Sequence, residues 1–171
     1  MLLIITLIVV GLWLLFSMVE IVPQNTVYVV EWFGKFERIM VSGLNFRVPF
    51  MERVAEKVTL KQQNFAITGR YPSHDKLMIN VIGNLIFEVI PTAEGVSNHV
   101  YKLVDRERSV AAALENALRT YIASQTSQQV LEKKEGLIQY MKQSLGQQFK
   151  EWGINILDFQ LVEVNLKQSF F

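Results

Sequence analysis

The chain has no cysteine and only two histidines among its 171 residues. Without cysteine there are no disulfides, no thiolate nucleophile and no cysteine-ligated metal, although this assigns no compartment. His74 and His99 stand far apart with no helical or ligand-type spacing, so they make a poor metal pair. The chain contains no Gly-x-Gly-x-x-Gly, no P-loop and no Gly-x-Ser-x-Gly elbow, which removes the usual phosphate cradles and the serine-hydrolase turn. No cofactor is expected. A surplus of one charge is also missing: 17 Lys and Arg face 16 Asp and Glu, a net charge of +1. The signs are interspersed, and no basic stripe exists to neutralise phosphates, so nucleic acid is not an expected partner. There is no internal repeat and no low-complexity linker.

Charged side chains are absent altogether from Leu2 to Val19; the first is Glu20, and the first basic one is Lys35. A helix over this run would be about 27 Å long, close to the ~30 Å hydrocarbon thickness of a bilayer. A cleaved secretory signal would need a basic start and an Ala-x-Ala-like exit, where this chain has Ser17-Met18-Val19. A buried core helix would be amphipathic, whereas this run is apolar on every side. The reading is therefore a retained membrane anchor. Its lipid-facing residues are Leu2, Leu3, Ile4, Ile5, Leu7, Ile8, Val9 and Val10, then Leu12, Trp13, Leu14, Leu15, Phe16, Met18 and Val19. Full span and hairpin insertion both stay open, since Gly11 permits a bend and Trp13 sits deep for an interfacial aromatic. Lys35, Arg38 and Arg47 follow the run, which leans by the positive-inside rule toward a cytoplasmic body. In a bacterium the membrane would be the inner one.

From Pro23 onward the chain has the size of one domain or two small ones. Thr26 to Phe33 is β-branched and aromatic, Gly34-Lys35 reads as a turn, and Phe36 to Val41 as a returning strand. Leu44 to Val48 is a short strand stopped by Pro49. Arg53 to Ile67 reads as one long extended segment and Gly69 to Lys76 as a loop. In Leu77 to Ile90, Leu77, Ile79, Val81, Leu85, Phe87 and Val89 alternate onto one face, with a bulge expected at Gly83. After Pro91 the period changes. Thr92 caps a short helix to Leu103. Asp105 to Gln125 carries the stripe Val110, Leu114, Ala117, Leu118, Tyr121 and Ile122. Ser127 to Trp152 reads as one long helix with Gly153 as a left-handed C-cap. Ile154 to Leu166 returns to a strand, with Val162, Val164 and Leu166 alternating. Strands followed by helices indicate an α+β fold: residues 1–22 the anchor, 23–91 an antiparallel β-rich half, and 92–171 a helical half with a final strand.

An ordered set of motifs runs through this body: Val22-Pro23-Gln24, Val29-Val30-Glu31, Phe33-Gly34-Lys35-Phe36, Gly43-Leu44-Asn45-Phe46, Pro49-Phe50, Leu118-Arg119 and Trp152-Gly153-Ile154. No single tripeptide is specific, but their order behind an amino-terminal anchor is. The chain resembles the stomatin/prohibitin/flotillin (SPFH, band 7) superfamily, and within it the bacterial stomatin-like members. The resemblance implies a non-enzymatic, homo-oligomeric scaffold on the bilayer. Such a scaffold organises membrane microdomains and regulates membrane protein clients. An alternative reading is a non-catalytic regulatory subunit docked on a membrane protease. The resemblance also places the segment from Gly43 to Val54 close to the membrane. Leu44, Phe46, Val48, Phe50 and Met51 are then candidate membrane-contact residues, with Arg47 and Arg53 set to meet headgroups. An ordinary strand and turn packed on the core is an equally simple reading of the same residues.

The chain departs from the family pattern in three places. Ser42 replaces the usual proline. The Thr-Lys-Asp loop reads Ser73-His74-Asp75-Lys76. The family's Ala/Glu-rich coiled coil would start at Leu166-Lys167-Gln168 and is absent from this sequence, so cage formation is not implied directly. Phe170-Phe171 would suit packing on a partner or a neighbouring copy. Ser73, His74 and Asp75 include the residue types of a hydrolytic triad, but adjacent loop residues rarely reach its geometry. The charged runs Lys102 to Arg108 and Glu132 to Glu135 read as solvated helix faces.

Overall fold

Helix α1 (Leu2–Ser17) is followed after the single residue Met18 by strand β1 (Val19–Val22). The computed structural model describes residues 1–166. The run that reads as a membrane span is thus divided. Val19 leaves the helix because its backbone pairs with Phe46 across an antiparallel ladder. The helix that remains has 16 residues, about 24 Å at 1.5 Å per residue. Among the described residues no helix is long and apolar enough to cross a membrane, and this corrects the expectation of a spanning anchor.

Three antiparallel sheets follow. β1 pairs with β4 (Gly43–Phe46) as a two-stranded ribbon. The second sheet has the order β3-β2-β5, built from β2 (Thr26–Trp32), β3 (Lys35–Met40) and β5 (Glu52–Thr59). The third has the order β6-β7-β8, from β6 (Gln63–Pro72), β7 (Met78–Val89) and β8 (Ile154–Leu166). The extended segment expected from Arg53 to Ile67 is therefore two strands in different sheets. Gly69 to Pro72, expected as loop, continues β6. That strand lies at a sheet edge, and its Pro72 is the last residue, where a missing N–H costs no interior ladder bond. Strand β4 ends at Phe46 rather than Val48.

The long β7 carries most of the alternation seen in sequence: Ile79, Val81, Leu85, Phe87 and Val89 are buried on one face, whereas Leu77, expected with them, precedes the strand and is 47% exposed. Against that face pack α3 (Arg106–Ser124), α4 (Ser127–Glu132) and α5 (Lys134–Glu151), forming the main core with Leu114, Leu118, Ile122, Leu137, Met141 and Phe149. Burying each such side chain contributes roughly 1.5–3 kcal/mol relative to exposure. The expected bulge is present, since the β7–β8 register shifts between Ile82 and Gly83. Val162 is the extra residue it creates. It is exposed and Leu166 stands at the rim, so of the expected inward trio only Val164 is buried. The single long helix expected from Ser127 is two: Lys133 takes a non-helical conformation (φ −106°, ψ 52°) between α4 and α5. Phe170 and Phe171 lie outside the described residues.

Helix α2 (Ala93–Tyr101), capped by Thr92 accepting from the Gly95 N–H at 3.0 Å, joins the halves. Val96 packs with Val27, Val29 and Val58 of the second sheet and with Val89. Two polar contacts reinforce the junction. Tyr101 donates to Glu31 at 2.7 Å, and Arg106 holds Glu56 at 2.6 Å. Burial, then the bond to Glu31, pushes the Tyr101 phenol up to about 12, so it stays a donor throughout the neutral range. Gly153 (φ +71°) turns α5 into β8, as its position past the helix predicts.

Candidate functional site

The apolar surface that the core does not absorb lies at the amino-terminal end. Among the described residues of α1, eleven large apolar side chains are between 47% and 78% exposed, and they point in every direction around the helix axis. Such a helix buries almost nothing against its own body; its main contact is with the adjoining β1. By physics it requires an apolar surrounding.

The β1–β4 ribbon continues this surface. Val19 stands opposite Phe46 and Ile21 opposite Leu44, so all four share one face. Ile21, Leu44 and Phe46 are 61–71% exposed. The other face carries Glu20, Asn45 and Val22, and Val22 packs on Tyr28, Val30 and Met40. The ribbon is therefore two-sided: one face holds it to the second sheet, and the other is apolar and open. Asn45 fixes the turn before β4 by donating to the Val41 and Gly43 carbonyls at 2.7 and 3.1 Å.

The loop from Arg47 to Met51 is held from beneath. The carboxylate of Glu52 is 7% exposed and accepts from Arg38 Nε and Nη2, both at 3.2 Å, and from the Val48 N–H at 2.8 Å. Arg38 also donates to the Phe46 carbonyl at 2.6 Å, which ties strand, loop and ribbon to one guanidinium. Burial alone would raise the Glu52 carboxyl. The bonds from Arg38 and Val48, with the charge of Arg47 nearby, outweigh it and hold the pKa below the usual carboxylate range.

The candidate contact residues separate accordingly. Leu44 and Phe46 share the ribbon face with Val19 and Ile21; Val48, Phe50 and Met51 lie on the braced loop. Leu3 to Phe16 lie in α1, Met18 is its cap and Val19 starts β1. Arg47 is less free than the sequence suggested. Its side chain lies 3.7 Å from Glu20, and its N–H donates to the Met18 carbonyl at 2.7 Å. Arg53, by contrast, is largely exposed, 3.6 Å from Glu31. Sequence reasoning missed Ile21 as a surface residue, and Phe33, which is exposed at the tip of the β2–β3 turn. The Val-Glu-Ile-Val alternation of β1 held the signal for Ile21, but it merges with the apolar run before it.

The Ser73-His74-Asp75 segment is a clasp between elements. Asp75 accepts from the Ser127 N–H at 3.0 Å and its hydroxyl at 2.5 Å, at the first residue of α4, and also from Ser73. The His74 N–H donates to the Gln125 carbonyl at 2.9 Å. The bonds from Ser127 and Ser73 hold the Asp75 carboxyl at about 2. A group held low stabilises the fold fully above its unfolded pKa near 3.8, and that contribution fades as pH falls toward 2. Asp75→Asn should therefore lower the melting temperature at pH 7, and the difference from the parent should shrink between pH 4 and pH 2, as read by circular dichroism melts. An unchanged difference at pH 2 would contradict this account. His99 is buried in α2. Burial first, and then Arg106, lowers its pKa, so the imidazole is neutral. Among the described residues, no group of three or more metal-ligating side chains is assembled.

Comparison with known proteins agrees with this architecture. The family model of the SPFH domain / Band 7 family matches residues 20–171. Human mitochondrial stomatin-like protein 2 (Homo sapiens) is 23% identical over 151 residues, covering 88% of this chain and 41% of that protein. An uncharacterised protein of Schizosaccharomyces pombe is 23% identical over 154 residues, with 90% and 42% covered. An uncharacterised protein of Mycobacterium tuberculosis is 23% identical over 149 residues, with 86% and 38% covered. The chain thus spans about two fifths of the length of the curated relatives it matches.

Proposed function

The chain belongs to the SPFH domain / Band 7 family, and from that premise we propose that it is a non-catalytic, membrane-attached scaffold that assembles with copies of itself. The observation that carries this reading is the union of two surfaces. An all-round apolar helix, exposed along its length, leads directly into the open apolar face of the β1–β4 ribbon. Among the described residues neither surface is matched by a partner within the fold, and together they form a region suited to hydrocarbon and the headgroup boundary. Attachment is through α1 embedded at the bilayer, with Leu44, Phe46, Val48, Phe50 and Met51 as the body's own contact with it. The helical half then stands away from the surface and is available to neighbouring copies and to membrane protein clients.

Detergent-free fractionation tests attachment: the full chain should pellet with membranes and resist high-salt washing, since burial of apolar area rather than charge holds it. Short-range cross-linking in those membranes should give ladders above the dimer. A chain that remains a monomer band after cross-linking in those membranes, at native abundance, would end the assembly part of the proposal.

A further inference from the structure

We propose that the β2–β3 turn at Trp32-Phe33 and the loop at Pro49-Phe50 form one aromatic wedge that enters the interface of an anionic bilayer beside α1. The proposal rests on the membrane reading above and extends it to a part of the body, the β2–β3 turn, that the sequence did not mark. The first observation is backbone strain at exposed aromatics. Phe33 has φ +47° and Phe50 φ +69°, in the left-handed region that bulky residues rarely adopt. Both side chains are open to solvent, at 75% and 86%. Core packing does not account for either side chain: the two-residue turn between paired Trp32 and Lys35 requires a positive φ at both Phe33 and Gly34, a place that asparagine, aspartate or glycine usually fills, and an aromatic held there against local preference points to its side chain. The second observation is that the two turns are fastened together. The Phe33 N–H donates to the Met51 carbonyl at 3.3 Å, so the aromatic tips belong to one structural unit. Trp32 meets Phe33 edge to face, with ring centroids 5.7 Å apart. Tryptophan and phenylalanine at one tip give the amphipathic aromatic surface favoured at headgroup depth.

The third observation is the sorting of charge around the tips. The nearby acids are turned inward: Glu31 is held by Tyr101 and Glu52 by Arg38. Lys35 is exposed, and the Arg53 side chain, whose guanidinium lies 3.6 Å from the inward Glu31, is itself 79% exposed. One exposed acid, Glu37, follows further along β3. The charges presented outward beside the aromatics are thus mainly cationic, and each cation near an anionic membrane surface favours binding roughly fivefold. The partner this chemistry fits is a bilayer carrying anionic headgroups. The wedge also adjoins the β1–β4 ribbon through the braced loop from Arg47 to Met51, so it extends the surface that already meets the membrane.

The absence of cysteine permits a clean test. Single variants Leu3→Cys, Phe33→Cys, Phe50→Cys and, as a control on α3, Asn116→Cys are each labelled with an environment-sensitive fluorophore in the full chain. They are then reconstituted with vesicles of phosphatidylcholine alone or with phosphatidylserine, each containing doxyl-lipid quencher. The expected result is quenching at positions 33 and 50 that is severalfold greater on the anionic vesicles, with position 116 unquenched. Lys35→Gln combined with Arg53→Gln should bring the quenching down to its level on neutral vesicles. If positions 33 and 50 behave like 116 while position 3 is quenched, α1 is in the bilayer and the wedge is wrong. If position 3 is unquenched as well, the membrane reading itself fails. Equal quenching on both vesicle types overturns the anionic preference. A blue shift at 33 or 50 that grows with protein concentration without lipid quenching assigns the surface to a second copy and overturns the wedge. Reporters at two positions keep the test decisive if one variant misfolds, as judged by circular dichroism.

Discussion

Gly153→Ala is expected to destabilise the fold by about 3 kcal/mol, lowering the melting temperature by about 6–12 °C. Two costs combine. The left-handed conformation (φ +71°) disfavours any side chain by roughly 1 kcal/mol. In addition, a Cβ placed there would overlap the carbonyl of Gly95 in α2 and stand 3.1 Å from the His99 nitrogen. The obstacle is backbone, so relief requires moving α2 or the start of β8. That shift would disturb the bond from the Ile90 N–H to the Gly153 carbonyl, now 2.8 Å. Overpacking of this type costs about 1–3 kcal/mol. Gly146→Ala is the matched control: a Cβ there meets nothing within 4 Å, in the interior of α5. It should stabilise by about 0.5–1 kcal/mol through lost unfolded-state freedom. Thermal melts of the two variants with opposite signs would establish that the α2–β8 approach, rather than glycine content, sets the effect. A neutral Gly153→Ala would refute it.

Arg38→Ala is expected to cost about 2 kcal/mol, a melting temperature about 4–8 °C lower. The substitution strips the nearly buried Glu52 carboxylate of two hydrogen bonds and frees the Phe46 carbonyl. Removing one partner of a fully buried pair costs about 3–5 kcal/mol, but the guanidinium is partly exposed, and solvent screening brings the figure down. Arg38→Lys keeps the charge without the fork and should lose less. The sign with pH follows from the lowered Glu52 pKa. The contribution is fully present above the unfolded carboxylate value and is lost as pH falls through the lower folded value. The stability curves of the parent and Arg38→Ala should therefore be well separated at pH 7 and converge in acid. Because Glu52 also holds the Val48 N–H, the variant should loosen the loop bearing Phe50. Proteolysis at the 47–51 segment would report this directly.

The sequence was most legible where one period runs undisturbed. The α3 stripe Val110, Leu114, Leu118 and Ile122 and the β7 alternation from Ile79 to Val89 both reach the core as their spacing predicts. Thr92 and Gly153 mark helix ends because their chemistry is local. The failures have non-local causes. Val19–Val22 is apolar enough to continue the helix, and only the pairing with Gly43–Phe46 extracts it as a strand. Gly69-Arg70-Tyr71-Pro72 has the composition of a loop, yet it pairs in register with Met78–Val81 of β7. The break at Lys133 has no proline to announce it; beyond it, Gly136 lies against Tyr121, where a Cβ would be 2.9 Å from the hydroxyl. At the candidate site, Leu44, Phe46 and Phe50 were visible as an apolar cluster. The nearness of Phe33 to that cluster was not, because it depends on a hydrogen bond to Met51 across two turns.

Between α1 and β1 stands one residue, Met18, and its carbonyl is bonded to the Arg47 N–H of the body. A tether of one residue reaches only ~3.8 Å, so the foot of the helix stays within a few ångströms of the ribbon. On the scaffold reading proposed above, domains attached at so short a junction have less freedom to surrender on meeting than domains on a loose linker. Lengthening the Met18 junction by a few glycines would leave every apolar contact residue in place and remove that restraint.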